Sequence, residues 1–208
     1  MNPEFLILFT FIILLSLFYI HKNDNRVHIE AFNNIKYKVR ESDDKELMKK
    51  KADYLGRLDI KAVQVINYMK ENSIPNNEIA TRLQTRYSNA SLSETPITDE
   101  GAAYTINKGP ICICIEKNGK FNDENDAFFV ILHELAHIMS NSYGHGPEFK
   151  DNFNVIVKVA VKLELWKEAN YEKKPEVFCG VEITSSPCDK KACNKNNLDH
   201  FFKERLLD

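Results

Sequence analysis

"HELAHIMSNSYGHGPEF" occupies positions 133–149 and carries three of the chain's six histidines together with two glutamates. His133 and His137 stand four residues apart. On an α-helix that is about 400° of rotation, so both imidazoles leave one face a turn apart. Two imidazoles so placed can ligate one ion, at about 2.0–2.1 Å if it is zinc. Glu134 lies about 100° further round, within reach of a water on that ion. This is the H-E-x-x-H arrangement, in which the glutamate serves as general base.

The surroundings predict that 122–140 is a helix. Asn122 or Asp123 can cap it, and Asp123, Glu124 and Asp126 favour the positive end of its dipole. Its middle, from Ala127 to Leu132 and again at Leu135, Ala136, Ile138 and Met139, is apolar nearly all round, so it is buried on most sides. Two histidines and a glutamate there carry a heavy desolvation cost unless something partners them, and a metal ion does so. "SNSYGHG" (140–146) breaks the helix, and Pro147 suits the first position of another reaching to about Lys167.

A catalytic zinc has three protein ligands and keeps its fourth position for water. His145, Glu148 and Asp151 are the candidates for the third. His145 is preferred: Gly144 lets the chain turn back toward the ion, Gly146 lets it leave again, and imidazole suits zinc. Glu148 is read as structural, capping the next helix or supporting a histidine. The expected site is therefore His133, His137 and His145 on one Zn2+, with Glu134 as the catalytic base.

"HELAH" followed by "HGPEF" resembles the zincin-type peptidases of the WLM and SprT-like group, over roughly 103–165. The layout is also similar to membrane-anchored members from large DNA viruses. The resemblance implies the same three zinc ligands and the same catalytic glutamate. It implies a small α+β, zincin-like metallopeptidase domain in which the strand "GPICICIEK" (109–117) lies beside the active helix and offers its edge to an extended substrate.

The rest of the chain sets the expected organisation. "FLILFTFIILLSLFYI" (5–20) holds sixteen residues without a charge. It is read as a transmembrane anchor (1–21), short against the roughly 20 residues a bilayer core needs. Lys22, Arg26, Lys36 and Lys38 follow it and none precedes it, which places the domain on the cytoplasmic side. Residues 22–44 read as a juxtamembrane linker, 45–187 as the metallopeptidase domain and 188–208 as a surface tail. Within the domain, 45–72 and 76–87 read as amphipathic helices, 88–101 as a loop, 103–120 as strand, and "EVFCGVEIT" as a short strand.

Net charge is −2 over 208 residues, so global electrostatics select no partner. Residues 94–151 carry four basic and ten acidic side chains, unlike a nucleic-acid groove, and no direct nucleic-acid binding is expected. The expected partners are a protein or peptide substrate and, through residues 5–20, a membrane. The five cysteines are read as free thiols, with a Cys188–Cys193 bridge left open. The function expected is that of a membrane-anchored zinc metallopeptidase. The alternative is a non-catalytic, membrane-tethered zinc-binding module, which needs the histidines but not Glu134.

Overall fold

The computed structural model describes residues 5–13, 24–87, 92–97, 101–117 and 119–188, with 193, 194, 197, 198 and 200–202 beyond them. The α+β class holds. The stretch 22–44, however, does not run as a linker. Arg26–Glu30 (β1) and Lys36–Arg40 (β2) form an antiparallel hairpin. Tyr37 and Val39 are fully buried, while Lys36, Lys38 and Arg40 alternate with them. Lys38 and Arg26 both pair with Asp24, which neutralises part of that basic alternation.

The hairpin is the start of a five-stranded sheet. Leu92–Glu94 (β3) lies inside the stretch read as a loop, Ala103–Thr105 (β4) follows, and Ile111–Ile113 (β5) completes it in the order β1-β2-β3-β5-β4. β3 runs parallel to β2 and β5, and β4 is antiparallel to β5. This corrects the expectation for "GPICICIEK". All three residues of β5 are buried and the strand is paired on both sides, so β4 is the edge. An apolar run without polar alternation is what an internal strand requires. Two small hairpins stand apart from the sheet: Glu116–Lys117 with Lys120–Phe121 (β6, β7) and Glu176–Phe178 with Val181–Ile183 (β8, β9).

Four helices build the other layer: Lys45–Glu71 (α1), Asn77–Arg86 (α2), Glu124–Met139 (α3) and Pro147–Lys162 (α4). Asp44 caps α1 and Asn76 caps α2. α1 is tied to the sheet by buried polar groups as well as by its apolar stripe. The Tyr37 and Tyr87 hydroxyls both donate to Asp59. Lys51 reaches Glu94 at 2.8 Å and Glu116 at 3.1 Å. Glu94 is fully buried, and Lys51, with Arg40 Nε 3.6 Å from the same carboxylate, supplies the opposite charge that its burial requires.

The expected transmembrane helix is not borne out. Residues 5–13 are helical with exposed apolar side chains, and 14–20 lie outside the described residues. The described helix reaches only about 13 Å at 1.5 Å per residue, against a bilayer core of about 30 Å. No helix among the described residues is long and apolar enough to cross a membrane. The single-pass reading therefore has no described element behind it.

The cysteine expectation is also revised. Cys114 pairs with Cys179 across 65 residues, and Cys188 pairs with Cys193, leaving Cys112 as a buried free thiol. The first bridge ties the β8–β9 hairpin to the end of β5. The described part of 188–208 is not all surface tail either. Cys188, Cys193, Leu198 and Phe202 are buried, and Lys158 and Lys162 of α4 lie over the rings of Phe201 and Phe202.

Candidate metal centre

α3 forms where the sequence places it. Asp123 is its cap, accepting from the backbone N–H groups of Asn125 and Asp126. The helix sits between α1, α2, α4 and the edge strand β4, which is why its apolar residues wrap it almost completely. His133 and His137 leave one face of it and remain half-buried, while Glu134 is buried, 6% exposed.

The chain then turns back. Gly144 takes a positive φ of 75°, a conformation costly for any side chain with a Cβ. The turn brings His145 to the other two histidines. Its Nε2 lies 3.0 Å from His133 Nε2 and 3.2 Å from His137 Nε2. Three imidazole nitrogens thus converge on one point, as the sequence reading required. Among the described residues these three form the cluster able to hold a metal ion; Glu148 and Asp151 do not join it.

Phe149, at the start of α4, is the floor. Its ring centroid lies 4.8 Å from that of His133, 4.3 Å from His137 and 4.7 Å from His145. Phe153 adds a second ring, 5.3 Å from His133. This apolar backing has an electrostatic consequence. Burial first, then the neighbouring His137 and His145, lowers the His133 pKa to about 3. Burial, then His145 and Lys108, lowers that of His137 to about 4. Both rings are therefore neutral at pH 7 and present lone pairs, the state a metal needs. Burial alone raises Glu134 to about 7. A carboxyl poised near the working pH suits proton transfer in either direction.

The donor set fits zinc: three imidazoles backed by apolar rings, His133 and His137 half-buried and His145 exposed, with no fourth protein ligand among the described residues and hence room for water. His145 Nε2 stands 3.0–3.2 Å from the other two Nε2 atoms, a spacing that one ion at about 2.0–2.1 Å from each nitrogen would satisfy.

Sequence reasoning missed the groups that hold the turn. Arg86 donates to the carbonyls of Ile138 and Ser140, and Arg82 to that of Met139. Lys108, from the β4–β5 connection, donates to the carbonyls of Ser140 and Ser142. These cations meet the negative end of the α3 dipole. Two arginines four apart on α2 are the signal available in the sequence; nothing there names their target. Tyr143 is 83% exposed, with Lys108 Nζ 4.7 Å from its ring centroid.

No protein-family model matches the chain, and no solved structure does. The zincin-like fold implied by the resemblance thus gives way to a plainer description, an α+β domain with the strand order given above. Similar proteins do exist. One is an uncharacterised protein of Acanthamoeba polyphaga mimivirus, 28% identical over 138 residues, covering 64% of this chain and 70% of that protein. Another, from Invertebrate iridescent virus 6, is 35% identical over 81 residues, covering 37% and 46%. A third, from Invertebrate iridescent virus 3, is 31% identical over 89 residues, covering 41% and 54%. The chain thus spans about half the length of the two iridescent-virus relatives. All three relatives are viral.

Proposed function

We propose that this chain is a zinc-dependent peptidase acting on a protein or peptide substrate. The observation that carries the reading is the convergence of His133, His137 and His145 beside the buried Glu134. A purely structural zinc site has four protein ligands and no use for an adjacent base; this cluster has three and keeps one.

Zinc, when bound, would supply Lewis acidity to a carbonyl and bring the pKa of a water toward 7. The chain's own residues do the rest. The three imidazoles would hold the ion through Nε2, with burial keeping His133 and His137 neutral. Glu134 takes the proton of the attacking water and returns it to the departing amine, with a pKa of about 7 matched to both tasks. Phe149 and Phe153 close the rear of the cluster to solvent. The strand β4, packed against α3, is the last strand of the sheet among the described residues, and an extended peptide can add beside it as a further strand.

The test is cleavage of an unfolded protein by the zinc-loaded full chain, with Glu134→Gln compared at equal zinc content. The reading expects a loss of about 10²–10⁴ in rate for the variant. Equal rates, or no cleavage by either, would leave a zinc-binding protein that is not this enzyme.

A further inference from the structure

Segment 140–146 must deliver His145 to within hydrogen-bonding distance of two rings on another element, yet it has no regular structure of its own. Its side chains are mostly exposed, so burial does not fix it. The hydrogen bonds of its backbone show what does. Glu148 Oε1 accepts from the N–H of Asn141 at 2.8 Å. Glu148 Oε2 accepts from the N–H of Ser142 at 2.9 Å and from its hydroxyl at 2.7 Å. From the opposite side Lys108 takes the carbonyls of Ser140 and Ser142.

Glu148 stands in the first turn of α4, where a carboxylate would ordinarily serve its own helix. It does not cap that helix: the cap is Gly146, with no side-chain hydrogen bond. The carboxylate is turned back onto the loop instead. Three donors from two residues held on both oxygens form a clamp that only a carboxylate satisfies. An amide offers one acceptor oxygen and would set its NH2 group against a backbone N–H.

Resting on the zinc-site reading above, we propose that Glu148 is a positioning residue that acts on the metal site through His145, by fixing the turn that carries it. His133 and His137 are set by α3 and do not need it; the third ligand does. Glu148 touches neither the histidines nor any reacting atom, and its contribution is the pre-organisation of one ligand.

A double-mutant cycle on the full chain tests this, with zinc affinity measured by competition against a chelator. Glu148→Gln is expected to weaken zinc binding about 10- to 100-fold where His145 is present. In a His145→Ala background the same change is expected to alter affinity by less than about twofold. Ser142→Ala, which removes one of the three donors, carries the same cycle with a smaller effect should Glu148→Gln fail to fold. Unchanged affinity in Glu148→Gln overturns the proposal, as does an equal loss with and without His145, since the residue would then act on the whole domain. A wild type that binds no zinc overturns the metal reading itself, and is distinguishable from a wild type that binds zinc and a variant that binds it equally well.

Discussion

His145 Nε2 stands 3.0 Å from His133 Nε2, twelve positions away in the chain. The two rings belong to different segments, one on α3 and one on the turn after it, and Phe149 backs both. Zinc should therefore join the turn to the helix. Zinc at about 100 times its Kd should stabilise the chain by about 2.7 kcal/mol, or about 5–10 °C in melting temperature at this size. His145→Ala should lose most of that shift while melting nearly as the wild type does in chelator. Thermal melts with and without zinc measure both.

Glu134 gives a prediction of opposite sign for the metal-free protein. Burial raises its carboxyl from the ordinary 4.5 to about 7. The folded state therefore holds a proton that the unfolded chain has released between those values, and stability falls as pH rises through that window. Glu134→Gln escapes this cost. In chelator at pH 8 it should be more stable than the wild type by about 1–3 kcal/mol, with the gap closing toward pH 4.5. Urea unfolding at the two pH values reads the difference.

Phe149→Ala should destabilise the chain by about 3–5 kcal/mol, since the ring is 3% exposed and sits among three imidazoles and Phe153. Phe149→Leu refills most of the volume and should recover most of the stability. Chemical denaturation of both variants in chelator checks this without reference to metal binding.

The Cys114–Cys179 bridge closes a loop of 65 residues. Replacing both cysteines by alanine should cost about 2–5 kcal/mol. No hydrogen bond or ring contact joins His133, His137 or His145 to either cysteine among the described residues, so zinc affinity should stay within about twofold of wild type. Melting the double variant beside the wild type, with and without reductant, measures the first effect; a zinc titration measures the second.

How much of this was legible in the sequence depends on period and on charge. α3 and its two histidines read directly, because a four-residue spacing on an apolar helix admits one geometry. The return of His145 was legible from two glycines, of which Gly144 has the positive φ. The clamp on that turn was not, because Glu148, Lys108, Arg82 and Arg86 bind backbone atoms, and backbone partners leave no pattern in residue types. β2 alternates as a half-buried strand should, with Tyr37 and Val39 inward, but it lies in a stretch so charged that it reads as a linker. β3 is three residues long and carries a buried glutamate that needs Lys51 from α1, a partnership 43 residues distant. The tail has isolated anchors, Leu198 and Phe202, too sparse to show a period. The apolar run at the N-terminus shows the converse: sixteen uncharged residues read as an anchor, while the described helix covers nine of them.

The central claim is that His133, His137 and His145 together hold one zinc ion. Zinc content per folded chain, measured on the full protein after removal of unbound metal, tests it most directly. The account expects about one zinc per wild-type chain and a nearly complete loss when His133 and His137 are both replaced by alanine. A wild type that carries almost no zinc, or a double variant that carries as much as the wild type, would contradict it.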